Sequence, residues 1–241
     1  MPLLLGFFWG APLLARELEH GTHRLAWTQS VGRLSWLSVK LVFITGFTAL
    51  VAVAYALVVS WWSGPLDAST GDRFQPGNFD QQGLVPVAYA LFAVTLGTFA
   101  GAVMRKTLAA MAVTLGGFLV VRVGVAVLIR RHFVSPVTER YAPLPGHDTT
   151  HAGAWVLSQR TFDGAGHPVN QFQIGPTCHE APGASVRAVD RCIRAHGFLN
   201  VDVFQPASRF WLFQGIEAGI FGGLALVLAA AAVWWIRKRV A

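Results

Sequence analysis

Two charged side chains of opposite sign lie inside otherwise uncharged stretches of the sequence. Arg122 falls within the apolar run Thr107–Ile129, and Glu217 falls within the run Trp211–Ile236. If both runs are helices, each charge lies about 12 Å from the same end of the bundle. Charges inside membrane helices face the bundle interior and pair with one another. We predict an Arg122–Glu217 ion pair that forms a gate or a structural clamp; the alternative is that Arg122 extends outward to the interface.

The histidines of the polar segment 130–210 are a second set of side chains that could bind a metal or take part in a reaction. His147 and His151 are spaced as in a helical zinc motif, but Asp148 stands where zincins have glutamate, and the surrounding prolines and glycines disfavour a helix. Solvated loop histidines are therefore expected and no metal is predicted. A metal site stays an open alternative because more histidines share the segment, namely His132, His167, His179 and His196.

No motif for nucleotide or acyl chemistry is present. A Walker A loop needs a Gly-Lys pair to hold phosphates, but Val39, Arg105 and Arg237 precede the three lysines. The sequence also lacks a Gly-x-Ser-x-Gly elbow and a Cys-x-x-Cys metal motif. We therefore predict a chain that is not an enzyme and carries no cofactor.

The composition is that of a membrane protein. Of the 241 residues, 54% are hydrophobic and 13% are charged, with a mean hydropathy of +0.49. Soluble domains carry about 25% charged residues. The net charge of +7 does not indicate nucleic-acid binding, because the basic residues lie at the ends of apolar runs, where membrane topology places them. The lipid bilayer is thus the expected partner, and nucleic acid is not.

The apolar runs predict an all-α polytopic protein of about five spans. Pro2–Ala15 is a partial span, because a helix of that length covers about 21 Å of the roughly 30 Å hydrocarbon layer. It does not resemble a signal peptide, since it lacks a basic start and a small-residue cleavage site. The full spans are Val39–Trp62, Leu84–Met104, Thr107–Ile129 and Trp211–Ile236.

Basic residues predict the orientation. They cluster in segment 16–38, at Arg105-Lys106 and at Arg237–Arg239, which fall on one side when the spans alternate. The positive-inside rule makes that side cytoplasmic. The expected organisation is helices in 1–129 with cytoplasmic segment 16–38, an extracytoplasmic subdomain in 130–210, and a last helix with a basic cytoplasmic tail in 211–241.

The two cysteines agree with this orientation. Cys178 and Cys192 both lie in the segment assigned outside, so we expect a disulfide that contributes about 3 kcal/mol by loop closure. Two free thiols are the alternative. The segment is rich in proline and glycine, with a short strand expected at Gly153–Phe162 and helical spacing at Ala184–His196.

Two local patterns predict contacts of the helices. In Arg16–Arg33, Leu18, Leu25, Trp27 and Val31 can face lipid while charged residues face water, which favours a helix on the membrane surface over a passive loop. Glycines spaced by four allow close helix packing, within the chain or between two copies. They are Gly97 and Gly101, and Gly215, Gly219 and Gly223.

The same cytoplasmic segment resembles a known family. Glu19-His-Gly-Thr22, an apolar stretch and Thr28-Gln-Ser-Val-Gly-Arg33 are similar to the segment that follows the second span of ABC-2 type transporter permeases. Trp61-Trp-Ser-Gly-Pro-Leu-Asp67 and the run Arg73–Phe79 also resemble its bacterial branch. The resemblance extends over nearly the whole chain.

The resemblance implies a permease subunit of an ATP-driven exporter in the bacterial inner membrane. Such a subunit dimerises and is driven by a separate ATP-binding subunit, which the segment after the second span contacts. The residues carried over as coupling residues are Glu19, Gly21, Thr22, Arg24, Gln29 and Arg33.

The family has six spans, and the present spans resemble the second to the sixth. The first span and part of the second lack a counterpart, so either the start lies upstream or the chain is a shortened form. Two other functions are retained as alternatives: a membrane sensor or scaffold with an extracytoplasmic ligand-binding head, and a metal-dependent ectoenzyme that uses the outer histidines.

Overall fold

The computed structural model describes residues 1–22, 32–143, 151, 153–170, 177–178 and 185–239. The described part of the chain is mostly helical. It divides into two units. We call Met1–Pro65, Pro76–Phe133 and Trp211–Ala241 the helical unit, and Leu66–Gln75 and Val134–Phe210 the sheet unit.

The described helices follow the apolar runs of the sequence. The first, α1, continues through a wide π-helical turn at Gly6–Gly10 into α2, and α6 continues through a π-helical turn at Val125–Ile129 and a 3₁₀ turn at Arg130–His132. The bounds are α1 Pro2–Leu5, α2 Ala11–Glu19, α3 Arg33–Thr70, α4 Pro76–Phe79, α5 Val85–Met104, α6 Thr107–Gly124, α7 Val186–Ala195 and α8 Phe210–Arg239.

Four of the described helical segments are long and apolar enough to cross a membrane. They are Leu34–Pro65, Val85–Met104, Thr107–His132 and Ala207–Arg239. Each full span of the sequence analysis overlaps one of them. The partial span forms the continuous helix of α1 and α2, which is not among the four because its end is charged. The protein is thus a polytopic membrane protein.

Glycines bring the first helix into backbone contact with α5. A Cβ atom at Gly97 would lie 2.6 Å from the Ala11 nitrogen, and one at Gly101 would lie 2.7 Å from the Ala11 oxygen. The close packing predicted at Gly97 and Gly101 is therefore present. By contrast, a Cβ placed at Gly215, Gly219 or Gly223 would meet no described atom within 4 Å beyond the adjoining residues and backbone of its own helix.

One apolar cluster joins several helix ends in the helical unit. Leu14 and Leu18 at the end of α2 pack with residues at the start of α3, and with Ala102 at the end of α5 and Ile236 at the end of α8. The α3 members are Trp36, Leu37 and Leu41. Burying each large apolar side chain stabilises the structure by about 1.5–3 kcal/mol, although the gain is smaller against lipid than against water.

The sheet unit contradicts the expectation of an all-α fold. Four antiparallel strands, in the order β1-β4-β2-β3, form one sheet where the sequence analysis expected loops and one short strand. The pattern was missed because polar residues occupy buried positions, among them Asn200 and Asp202 in the central strand. The bounds are β1 Val137–Tyr141, β2 Trp155–Phe162, β3 Pro168–Val169 and β4 Leu199–Gln205.

The expected helix and disulfide of this unit are both present. Helix α7 begins after Ser185, whose side chain accepts a hydrogen bond from the Ala188 nitrogen and so caps the helix. Cys178 and Cys192 form a disulfide, and they pack beside Val189 and Ile193 of α7.

Candidate functional site

Five polar side chains meet inside the helical unit, and we call them the charge cluster: Asp80, Tyr89, Arg122, Arg130 and Glu217. Arg130 is at its centre and is buried. Its Nε donates to Glu217 Oε2 at 2.7 Å, and one terminal nitrogen donates to Glu217 Oε1 at 2.7 Å and to Asp80. Such two-pronged pairing is the strongest geometry for an arginine and a carboxylate.

The other two members complete the pairing. Arg122 donates to Asp80 Oδ2 at 2.5 Å, and the Tyr89 hydroxyl donates to Glu217. The structure therefore replaces the expected Arg122–Glu217 ion pair, because each residue has a different direct partner. The depth of Arg122 was counted from residue 130, taken as the end of its span. The helix instead continues to His132, so Arg130 lies inside the unit and reaches Glu217.

The charge cluster is formally neutral. Two arginines offset two carboxylates, and both Glu217 oxygens accept hydrogen bonds. Removing charges from water costs several kcal/mol per ion, and only complete pairing of this kind offsets it. Because Asp80 precedes α5, Arg122 and Arg130 belong to the α6 segment and Glu217 belongs to α8, the cluster joins three spanning segments.

A cavity of about 380 Å³ adjoins the charge cluster. Its lining includes Tyr55, Tyr89 and Phe118 as aromatic walls and Asp80 and Arg122 as charged groups. Arg122 is the more accessible arginine of the cluster, with 32% of its side chain exposed against 2% for Arg130. The size is that of pockets for small organic molecules.

At the opposite end of the same helices, Glu19 holds the start of α6. Its Oε2 accepts hydrogen bonds from the Thr107 backbone nitrogen at 2.9 Å and from the Thr107 hydroxyl at 2.7 Å. Free backbone N–H groups at a helix start favour a carboxylate there. The hydrogen bond from the Thr107 side chain is the main cause that lowers the pKa of Glu19.

Two further contacts tie the neighbouring helix ends together. Lys40 of α3 forms a salt bridge with Glu17 of α2. Arg105, in the short link between α5 and α6, donates to the carbonyl oxygen of Arg239 at 2.9 Å. The ends of α2, α5 and α8 and the starts of α3 and α6 therefore meet on one side of the unit.

The structure describes half of the coupling residues that the resemblance implies. Glu19 ends α2, and Gly21 and Thr22 follow it, with Gly21 at a φ of 72° that suits glycine. Arg33 begins α3, but its side chain is outside the described residues. Arg24, Gln29, His147 and the apolar residues Leu25, Trp27 and Val31 also lie outside them.

Sequence reasoning missed Asp80, Tyr89 and Arg130. Arg130 ends an apolar run beside Arg131, which is the usual position of a topology marker. The sequence nevertheless contained a clue. Arg122 and Arg130 lie on the same predicted helix, and if both are buried each needs a carboxylate partner. Asp80 is an acidic residue a few positions before the next span, so it was the natural second partner.

Comparison with known proteins supports the membrane assignment. Residues 1–130 match a family model described as "ABC-2 membrane transporter related". The match covers more than half of the chain and includes Glu19, Asp80, Arg122 and Arg130. No curated protein and no solved structure matches the chain.

Proposed function

The chain belongs to the ABC-2 membrane transporter related family, and from this membership we propose that it is the permease of an ATP-driven exporter. The family match confirms the resemblance seen in the sequence and makes the chain a membrane transport component. In our proposal, a separate ATP-binding subunit hydrolyses ATP and acts on the cytoplasmic segment 16–38. The permease itself performs no chemistry.

The observation that carries the coupling proposal is the contact between Glu19 and Thr107. Glu19 is the last residue of α2, directly before the segment that the partner would contact. Its carboxylate is bound to the first residue of α6, and Glu17 is bound to Lys40 of α3. A displacement of the segment therefore reaches the ends of three helices at once.

Helix α6 connects this contact to the charge cluster. From Thr107 to Arg130 the chain is continuously helical, which corresponds to about 35 Å. One end is held by Glu19, and the other carries Arg122 and Arg130. A movement at the Glu19 end is thus transmitted to the cavity that Arg122 and Asp80 line.

The charge distribution supports the proposed orientation. The side of the helical unit where the ends of α2, α5 and α8 meet carries Arg16, Lys40, Arg105 and Lys106, together with the basic tail Arg237–Arg239. An excess of lysine and arginine marks the cytoplasmic side of a membrane protein. We therefore place the C-terminus and the ATP-binding partner on this side, in a bacterial inner membrane.

A second copy of the chain is the further partner in this proposal. The glycine row of Gly215, Gly219 and Gly223 is exposed on α8, and a Cβ placed at any of the three would point into open space within the described structure. Rows of small residues permit close approach of membrane helices. We expect a cysteine introduced by Gly219→Cys to cross-link two copies. Gly116→Cys on α6 is the matched control, because Gly116 is also open but lies outside this glycine row, and it should cross-link less.

Stimulated ATP hydrolysis tests the coupling proposal. The chain is purified with the ATP-binding protein that accompanies it, and hydrolysis is measured for Glu19→Gln, Thr107→Val and the double variant. Because each single change weakens the same contact, Glu19→Gln by removing the charge and Thr107→Val by removing the hydroxyl donor, we expect each to lower stimulation severalfold and the double variant to lower it by less than the sum of the two.

The controls separate coupling from folding. All variants must retain the melting temperature and partner binding of the wild type. Unchanged hydrolysis in Glu19→Gln, or additive losses in the double variant, would contradict coupling through this contact. If no ATP-binding protein accompanies the chain, the alternative of a membrane sensor or scaffold with an extracytoplasmic head gains support.

A further inference from the structure

Arg122 lines the cavity beside the charge cluster with most of its hydrogen-bond donors unused. A guanidinium carries five N–H donors in a planar fork. One terminal nitrogen of Arg122 donates to Asp80 Oδ2 at 2.5 Å, and no other described residue accepts a hydrogen bond from this side chain. Because the side chain lines the cavity and is 32% exposed, a molecule in the cavity can reach the remaining donors.

The carboxylate that shares this cavity is already paired. Asp80 Oδ2 accepts from Arg122, and Asp80 Oδ1 accepts from Arg130. Only 11% of the Asp80 side chain is exposed. A cationic ligand would have to displace an arginine from this carboxylate, whereas an anionic ligand can bind Arg122 with the existing contacts in place. The hydrogen-bonding capacity of the cavity therefore favours an anion.

Aromatic side chains surround the Arg122 guanidinium. It lies over the ring of Tyr89, 5.5 Å from the centroid, which is within the range of a cation–π contact. Phe118 packs edge to face on Tyr89, with centroids 6.2 Å apart. Tyr55 lines the same cavity, and its hydroxyl donates to Gln81 at 3.2 Å. These contacts position the guanidinium and the rings in advance, which lowers the entropic cost of binding a ligand.

The balance of charges limits the ligand to one negative charge. Arg122 and Arg130 already offset the carboxylates of Asp80 and Glu217. A singly charged anion adds one charge to this neutral group, and a dianion adds a second, which is costly away from bulk water. A carboxylate carries a single charge, and its two oxygens match the planar fork of an arginine.

The rest of the cavity suits an apolar body. Tyr55, Tyr89 and Phe118 present aromatic surface, and Leu119 adds an aliphatic side chain to the lining. The volume of about 380 Å³ is near the lower end of the range for ligand pockets. The ligand that fits is therefore small, with a charged head and an apolar or aromatic body.

We propose that the cavity binds a small monocarboxylate, whose carboxylate is held by Arg122 and whose apolar body is held by Tyr55, Tyr89 and Phe118. The inference rests on the proposed export function, in which such a carboxylate is the class of substrate. Helix α6 carries Arg122 and begins at Thr107, which Glu19 holds. Binding in the cavity therefore acts on the helix that the ATP-binding partner moves.

Binding of phenylbutyrate to the chain alone tests the proposal without the ATP-binding partner. The full chain in lipid nanodiscs is titrated with phenylbutyrate and, separately, with phenylbutylamine and phenylbutanol, which have the same body with a positive or a neutral head. Saturation-transfer NMR measures the dissociation constants, and empty nanodiscs give the background. We expect saturable binding of the carboxylate, and binding of the amine and the alcohol that is weaker by about tenfold.

Variants of Arg122 identify the group that holds the carboxylate. Arg122→Gln should weaken phenylbutyrate binding by about tenfold, because it removes the charge and most of the donors. Arg122→Lys keeps a positive charge beside Asp80 but lacks the fork, so it should weaken binding severalfold and still fold if Arg122→Gln does not. Arg131→Gln is the matched control, because Arg131 is exposed and is absent from the cavity lining, and it should bind like the wild type.

The outcomes separate this proposal from the transport proposal. An absence of saturable binding, equal binding of the acid and the amine, or wild-type affinity in both Arg122 variants overturns the substrate class. These results leave the transport proposal intact, because stimulated ATP hydrolysis tests that proposal in variants of Glu19 and Thr107. Unchanged hydrolysis in those variants, together with Arg122-dependent binding of phenylbutyrate, would instead overturn the coupling and retain the carboxylate site.

Discussion

Glu217 in the helical unit and Asp202 in the sheet unit are equally buried, with side-chain exposures of 0% and 1%, but their surroundings differ. Glu217 accepts hydrogen bonds at both oxygens from Arg130 and a further one from Tyr89. Asp202 accepts its closest hydrogen bond from Tyr141 at Oδ2, and its Oδ1 has no partner. One carboxylate is fully paired by the protein, whereas the other is not.

The comparison shows that burial alone does not reveal the role of a charge. A buried carboxylate with a complete set of donors is a structural contact, and removing its partner is costly. A buried carboxylate that keeps one oxygen without a hydrogen-bond donor gains less from its surroundings, so removing its charge should cost little. Three sets of substitutions, in order of decreasing effect, test this distinction.

The largest effect is expected from Arg130→Met. Without the guanidinium, Glu217 and Asp80 remain buried with their shared cation removed, so the free energy of unfolding should fall by about 3–5 kcal/mol. Thermal unfolding in detergent measures this loss. The neighbouring Arg131 is exposed, so Arg131→Met should change stability little. Equal effects of the two substitutions would show that the charge cluster is not the stabilising element.

An intermediate effect should separate the two carboxylates directly. Glu217→Gln removes the charge that Arg130 binds, and should cost about 1–3 kcal/mol. Asp202→Asn removes a charge that lies opposite Glu139 and that no lysine or arginine of the described residues pairs, and should change stability by less than about 1 kcal/mol or increase it. Chemical or thermal unfolding of both variants is the measurement. A large loss in Asp202→Asn would mean that Tyr141 and His151 already pair this charge fully.

The smallest effects are expected from the two tyrosines that donate to these carboxylates. Tyr89→Phe and Tyr141→Phe each remove one hydroxyl, and each should cost about 1 kcal/mol. Tyr89→Phe should cost the more of the two, because the Tyr89 hydroxyl donates to Glu217 and also accepts a hydrogen bond from Arg130. Thermal unfolding of both variants measures the difference, and equal losses would show that the second hydrogen bond of Tyr89 adds nothing to stability.

Tyr141 also predicts a dependence on pH. Burial, and then the hydrogen bond to Asp202, raise the pKa of the Tyr141 phenol. Because the folded protein holds this proton more tightly, the contribution of Tyr141 to stability is complete below its ordinary pKa of about 10 and is lost as the pH rises further. Unfolding at alkaline pH should therefore differ between the wild type and Tyr141→Phe.

The sequence predicted those features that depend on long, uniform patterns. Apolar runs located the spanning helices, and Glu217 and Arg122 were found because a charge in such a run is conspicuous. Arg130 was missed because a basic residue at the edge of a run is ordinary, and only the three-dimensional pairing shows that it is buried. The family of the chain was found from Glu19-His-Gly-Thr22, a local motif that needs no tertiary information.

The sheet was much less predictable. Strands are recognised by alternation of apolar and polar residues, and in β4 the buried positions include Asn200 and Asp202. The partners of these residues come from distant strands, since Asn200 pairs with Thr161 and Asp202 with Tyr141. His151 was assigned to solvent because its own flanking residues indicate a loop, and its contact with Phe204 is not local in sequence.

The pairing of Glu217 with Arg130 also has a consequence for biogenesis. Ribosomes make α8 after α5 and α6, and a lone carboxylate in a membrane helix raises its insertion free energy by about 3 kcal/mol. Because Arg130 and Tyr89 lie on helices made earlier, they offset this cost only when α8 enters beside them. Chains truncated before residue 210 would lack Glu217, so Arg130 would keep only Asp80 as its carboxylate partner, and we expect such chains to become targets for membrane quality-control proteases.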